Sequence, residues 1–303
     1  MTNTGRASGA EHGTDALNKP DATPGTTPDA RGGAPASDMP ARKPLPSGPL
    51  WIWRDSWTEA MRHLRAVPRN PELLIFSTIQ PVMFILLFVF VFGGSIEVPG
   101  YSTYEQYLIP GIIAQTVLFG TAFTGVGLAD DLSKGMIDRL RSLPMYQPAV
   151  IIGRTVSDLA RNVAAFVVMM VVAYMVGFRI EGSLVGALGA TVLLLGFGYA
   201  FSWIQALIGL SVSSVEAANS AGFIWMFPLT FVSSAFVATA SMPSWLGAIA
   251  DANPFTKLTN AARALYNGQD PGSDLWQAIA WAIGITVVFA FLASRKFARS
   301  TAR

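Results

Sequence analysis

Beyond residue 70 the chain alternates between long apolar runs and short polar joints. Leu73–Ile96 carries no charge, nor does Gln106–Ala129. Asn162–Phe178 follows, bracketed by Arg161 and Arg179, whose long side chains can snorkel to the two interfaces. Gly182–Val215 and Ala217–Ala250 are longer than one crossing needs, and Pro243 is expected to break the second of these. Leu275–Ser294 is the last run. A helix needs about 20 apolar residues to cross about 30 Å of hydrocarbon. The pattern therefore predicts an all-α integral membrane protein with six transmembrane helices, their spans empty of ionisable side chains.

Two amphipathic stretches stand outside these runs. In WIWRDSWTEAMRHLR (residues 51–65), Trp53, Trp57, Met61 (or Ala60) and Leu64 recur at helical spacing. Tryptophan and arginine on one short helix suit the headgroup zone. In DDLSKGMIDRLRSLPM (residues 130–145), Leu132, Met136, Leu140 and Leu143 form an apolar stripe. Asp131, Lys134, Asp138 and Arg141 fall largely on other faces, and Pro144 and Pro148 close the stretch. A helix made to be gripped by another protein and a basic loop serving only topology both fit this pattern. Residues 1–50 differ again. Roughly 30% of them are Pro or Gly, the level of a disordered tail, and no apolar h-region marks a signal peptide.

Composition supports the membrane reading. Only 13% of the 303 residues are charged and 51% are hydrophobic, too few charges to coat a water-exposed surface. Lysine and arginine give the orientation. Connection 93–105 has none. Connection 129–161 holds Lys134, Arg139, Arg141, Arg154 and Arg161, and the C-terminal tail holds Arg295, Lys296, Arg299 and Arg303. Positive-inside placement then puts both termini in the cytoplasm. The net charge of +2 is too small and too scattered for a nucleic-acid footprint. With no cysteine and only His12 and His63, thiolate and histidine-rich metal sites are excluded by count.

The chemistry missing from the sequence narrows the function. There is no G-x-x-x-x-G-K-[ST] phosphate loop, no G-x-S-x-G and no H-E-x-x-H. No charged relay at mid-membrane suggests coupling to an ion gradient. A passive pore, a structural membrane protein, or a transport path moved by an outside engine remains. Gln80, Gln115, Phe119 and Phe123 are candidates for lining such a path, and helix packing is the plainer role for each. Gly182, Gly186 and Ala190 have small-xxx-small spacing, a packing signal.

Two segments carry a family resemblance. GMIDRLRSLPMYQPAVIIGRTVSDLARN (135–162) has a glycine, an LRSLP core and a later GR…D. MPSWLGAIADANPFTKLTNAARALYNG (242–268) has Pro243, Trp245, Leu246, Asn253, Pro254, Thr256 and Arg263 in an LPxWL…NPxT…R pattern, with Met242 where leucine is usual. Together they resemble the ABC type-2 transporter permeases, with the daunorubicin-resistance-type export permeases as the most similar branch. The resemblance implies a transmembrane domain over 51–303 that works as the non-catalytic subunit of an exporter in the plasma membrane. A second permease subunit, identical or similar, would pair with it. Separate ATPase subunits would supply ATP and Mg, this chain holding no cofactor, and the cargo would be an amphipathic small molecule or lipid. Residues 131–145, with Asp131, Lys134, Gly135, Asp138, Arg139, Arg141 and Pro144, would be the coupling helix seated on the ATPase. Residues 51–67 would be the interfacial connecting helix. Residues 243–268 would be short re-entrant helices, with Lys257 and Arg263 near external headgroups.

Overall fold

The computed structural model describes residues 71–93, 98, 100–136 and 148–299. Helix α1 (Pro71–Leu87) runs into a π-helical turn, Phe88–Phe92. Next come α2 (Tyr104–Gly120), α3 (Ala122–Ser133), α4 (Pro148–Val176), α5 (Leu184–Gly209) and α6 (Val215–Phe231). Two short helices, α7 (Ser244–Ala252) and α8 (Pro254–Tyr266), precede α9 (Gly272–Arg299). The described residues contain no strand. Among the described residues, four stretches are long and apolar enough to cross a membrane: Tyr104–Ser133, Ile151–Val176, Leu184–Gly209 and Gly272–Phe297. The apolar helix Ile79–Val91 and helix α6 are shorter.

The stretch Tyr104–Ser133 is the axis of the bundle. Of its apolar window 72% is buried, against 11% for Gly272–Phe297, so the last helix lies at the periphery. Helix α5 packs on α3, α4, α8 and α9, while α2 packs on α1, α4 and α8. Glycine allows the tightest crossing: a Cβ at Gly209 would fall on the carbonyl oxygen of Gly125, so α5 and α3 meet backbone to backbone. The Gly182/Gly186/Ala190 stripe is also a packing surface. Gly186 faces Leu265 O of α8, where an added Cβ would sit 3.0 Å away, and Ala190 is fully buried.

Three expectations change. The third apolar run begins inside a longer helix: α4 starts at Pro148 and carries Arg154, Asp158 and Arg161. The helix that holds this run therefore carries charge before the run begins, and Arg161 turns inward to Asp158 and Gly120 O. The fifth run breaks at Phe231, twelve residues before Pro243. Pro228 lies in its last turn, and the carbonyls of Leu229 and Val232, left open by the end of the helix, are taken by the side chain of Asn253 at 2.7 and 2.6 Å. Lastly, Arg263 is 1% exposed and enclosed by protein, not turned towards headgroups.

Candidate functional site

Two polar assemblies sit in this apolar bundle. The first joins the loop after α6 to α8 and α2. Asn253 caps α8, accepting from Phe255 N at 2.8 Å, with Pro254 at the first helical position. The helix ends at Gly268, whose φ of +69° and the bond from Gln269 N to Ala264 O form a Schellman closure. Between these ends, α8 turns Thr256, Thr259, Asn260 and Arg263 to the loop. Thr256 Oγ1 accepts from Ser234 N at 3.1 Å, and Ser234 Oγ donates to Asn260 Oδ1 at 2.7 Å. Arg263 donates from Nε to Tyr107 O at 2.7 Å, from Nη2 to Ser234 O at 2.9 Å and from Nη1 to Asn260 Oδ1 at 3.1 Å.

Among the described residues no carboxylate touches Arg263 directly. Asn260 relays instead to Asp274 of α9, donating at 3.0 Å, and Lys257 pairs with the same carboxylate at 3.1 Å. Burying a guanidinium is tolerable only when its donors are engaged. Three carbonyl-type oxygens and the Tyr107 ring do that here.

The second assembly lies where α3 meets α4. Arg154 pairs with Asp131 at 3.2 Å and faces Asp158 at 3.4 Å, and Arg161 pairs with Asp158 at 3.0 Å. Positions 154, 158 and 161 share one face of α4 by helical spacing, and Arg154 and Asp158 are the GR…D of the first family motif. The cluster is largely buried, Asp158 to 5%, and its two positive and two negative charges cancel. Arg161 also rests over the Phe123 ring at 4.4 Å, and Gly127 leaves the room that Arg154 fills.

The expected site residues scatter among these features. Asp131 belongs to the charge cluster. Lys134 is exposed and pairs with Asp130 at 2.7 Å, and Gly135 ends α3 with a φ of +64°. Asp138, Arg139, Arg141 and Pro144 lie outside the described residues, as do Trp53, Trp57 and Leu64. Pro243 precedes α7, accepting from Leu246 N at 2.9 Å. Trp245 is 67% exposed on α7 and lines, with Trp225, Leu229 and Ile249, an apolar groove of about 1060 Å³ against α6.

The four path candidates do not converge. Gln80 is exposed on α1, whereas Gln115 is buried with no partner for its Nε2. Phe123 lies under Arg161. Phe119 alone joins a larger feature: its ring meets Phe223 at 5.6 Å and Phe227 at 5.2 Å. From Phe227 the stacking continues through Phe231 and Phe236 to Phe88. Phe227 and Phe231 are nearly half exposed. Sequence spacing carries no hint that α2, α6 and the π-helical turn after α1 share this ladder, because its members come from separate elements and a loop.

Residues 55–267 match the family model described as ABC-2 type transporter. Over 267 residues the chain is 34% identical to the daunorubicin resistance ABC transporter permease protein DrrB1 of Streptomyces coeruleorubidus, covering 88% of this chain and 92% of the relative. It is 22% identical over 222 residues to the probable doxorubicin resistance ABC transporter permease protein DrrC of Mycobacterium tuberculosis (strain CDC 1551 / Oshkosh), covering 73% and 80%. A putative transport permease, ycf38 of Porphyra purpurea, is 25% identical over 215 residues, covering 67% and 70%.

Proposed function

The chain belongs to the ABC-2 type transporter family, and we propose that it is the membrane subunit of an ATP-driven exporter of amphipathic small molecules. Six crossings with both termini in the cytoplasm, the α7–α8 pair dipping into the outer leaflet, complete the reading. Two such subunits form the path, and separate ATPase chains supply Mg-ATP. The segment between α3 and α4 receives the stroke. ATP closes the ATPase pair, and its differential affinity for the closed state tips the bundles outward.

One observation supports this reading most: the cluster of Asp131, Arg154, Asp158 and Arg161. It ties both ends of the 134–147 segment to the buried axis of the bundle. A push on that segment reaches α3, and from there α5 and α6, on which α3 packs. The phenylalanine ladder suits the cargo. A half-exposed aromatic flank stacks planar apolar molecules without demanding specific hydrogen bonds.

The test is a triple charge reversal, Asp138→Lys, Arg139→Glu and Arg141→Glu. Membrane insertion should persist while co-purification with the ATPase and nucleotide-driven transport fall. A triple variant that still binds its ATPase and pumps normally overturns the coupling assignment. Conduction of solute by the chain alone in vesicles, without nucleotide, would instead favour a passive pore.

A further inference from the structure

The second crossing is not one continuous helix. Thr121 separates α2 from α3, and the hydrogen bonds around it are one residue too short for an α-helix. Thr121 N donates to Leu118 O at 3.0 Å, and Thr124 N donates to Thr121 O at 2.9 Å. The Thr121 hydroxyl turns back to Leu118 O as well, at 2.6 Å. In a regular helix those two amides would serve Val117 O and Gly120 O. An apolar bundle offers no water to replace them.

Two consecutive side chains of α4 take their place. Asn162 Nδ2 donates to Val117 O at 3.3 Å, and Arg161 Nη2 donates to Gly120 O at 3.1 Å. Arg154 reaches a third carbonyl, Phe123 O, at 3.4 Å. Gly120 is what lets Asn162 approach, since a Cβ there would collide with Asn162 Oδ1. Arg161 is held in place from its other side by Asp158.

We propose that Arg161 and Asn162 are positioning residues that hold this joint in its tightened form and so set where α3 delivers the chain after Ser133. The joint has two ways to satisfy the same carbonyls. Clamped, it uses side chains of α4. Released, the amides of Thr121 and Thr124 return to Val117 O and Gly120 O, and α2 and α3 become one α-helix. Short i→i+3 stretches within helices recur at hinges. Ser133 lies twelve residues beyond Thr121, about 18 Å along the helix, so a ten-degree change at the joint moves it by about 3 Å. The link from that movement to transport rests on the permease reading above.

The chain has no cysteine, so Ser133→Cys and Ser213→Cys, both exposed positions, can carry a spin-label pair between the end of α3 and the loop after α5, which lies beside α3. The full chain in lipid nanodiscs is compared with Asn162→Leu and Gly120→Ala versions. Each substitution should shift the label distance by up to about 3 Å, the sideways travel of Ser133. The double variant should shift no further than either alone, because both remove the same clamp. Gly120→Ala adds one methyl group and reports even where Asn162→Leu does not fold. With the ATPase present, both variants should keep their partner yet lose nucleotide-driven transport. Arg161→Lys, which keeps a charged donor, should retain more transport than Arg161→Met. An unchanged label distance in folded Gly120→Ala overturns the proposal. That measurement needs no ATPase, so it judges the joint whether or not the permease reading stands.

Discussion

Arg263 lies with its guanidinium carbon 3.7 Å from the centre of the Tyr107 ring, while its Nε donates to the backbone carbonyl of the same residue. One arginine of α8 thus satisfies both the face and the main chain of one tyrosine of α2. Replacing it by methionine keeps the bulk and leaves Tyr107 O without its donor. Arg263→Met should lose about 1–3 kcal/mol of stability, the cost of leaving buried acceptors without their donor. Arg263→Lys keeps the charge without the planar fork, and should fall between wild type and Arg263→Met. Thermal unfolding in detergent, followed by monodisperse fraction, gives the order.

Asn253 does two jobs with one amide: its oxygen caps α8 and its nitrogen closes the end of α6. Asn253→Ser keeps an N-cap oxygen but cannot reach Leu229 and Val232. It should cost about 1–2 kcal/mol. Asn253→Ala loses the cap too, adding about 1 kcal/mol. Equal losses for the two variants, in the same unfolding assay, would show that the cap contributes nothing.

Asp158 faces two arginines at 5% exposure, whereas Asp131 faces one at 20%. Asp158→Asn should therefore destabilise by about 3–5 kcal/mol and Asp131→Asn by much less. The pair Arg154→Met with Asp158→Asn should cost less than the sum of its singles, since the double variant leaves fewer charges stranded. A double-mutant cycle on unfolding temperatures measures the difference.

Glycines of α5 should divide by what faces them. At Gly209 a methyl group would meet the α3 backbone, so Gly209→Ala should cost about 1–3 kcal/mol. At Gly196 nothing lies within 4 Å of the added carbon, so Gly196→Ala should stabilise by about 0.5–1 kcal/mol. The two variants, made side by side, should move the unfolding temperature in opposite directions.

Local chemistry was written plainly in the sequence. Asn253 followed by Pro254 is a helix start, and Gly268 is a helix stop. Apolar runs marked the longer helices, and the two motif segments marked the family. Tertiary reach was not legible. That Asn253 would close a helix ending more than twenty residues earlier, or that Arg161 and Asn162 would serve carbonyls of α2, depends on which helices lie side by side. The partners of the α4 charges are hidden for the same reason. Arg154, Asp158 and Arg161 look like the polar flank of a short span, but partners at 3.0–3.4 Å let α4 carry them inside the bundle. The early end of α6 is a third case: Ser233 takes the Thr230 carbonyl and Asn253 takes those of Leu229 and Val232.

The cancellation of charge among Asp131, Arg154, Asp158 and Arg161 also bears on energetics outside the protein. Membrane voltage does about 2.3 kcal/mol of work per elementary charge per 100 mV. Four groups that travel together and sum to zero offer the field nothing to pull on. A displacement of these four side chains together should therefore cost the same in a depolarised membrane as in a polarised one.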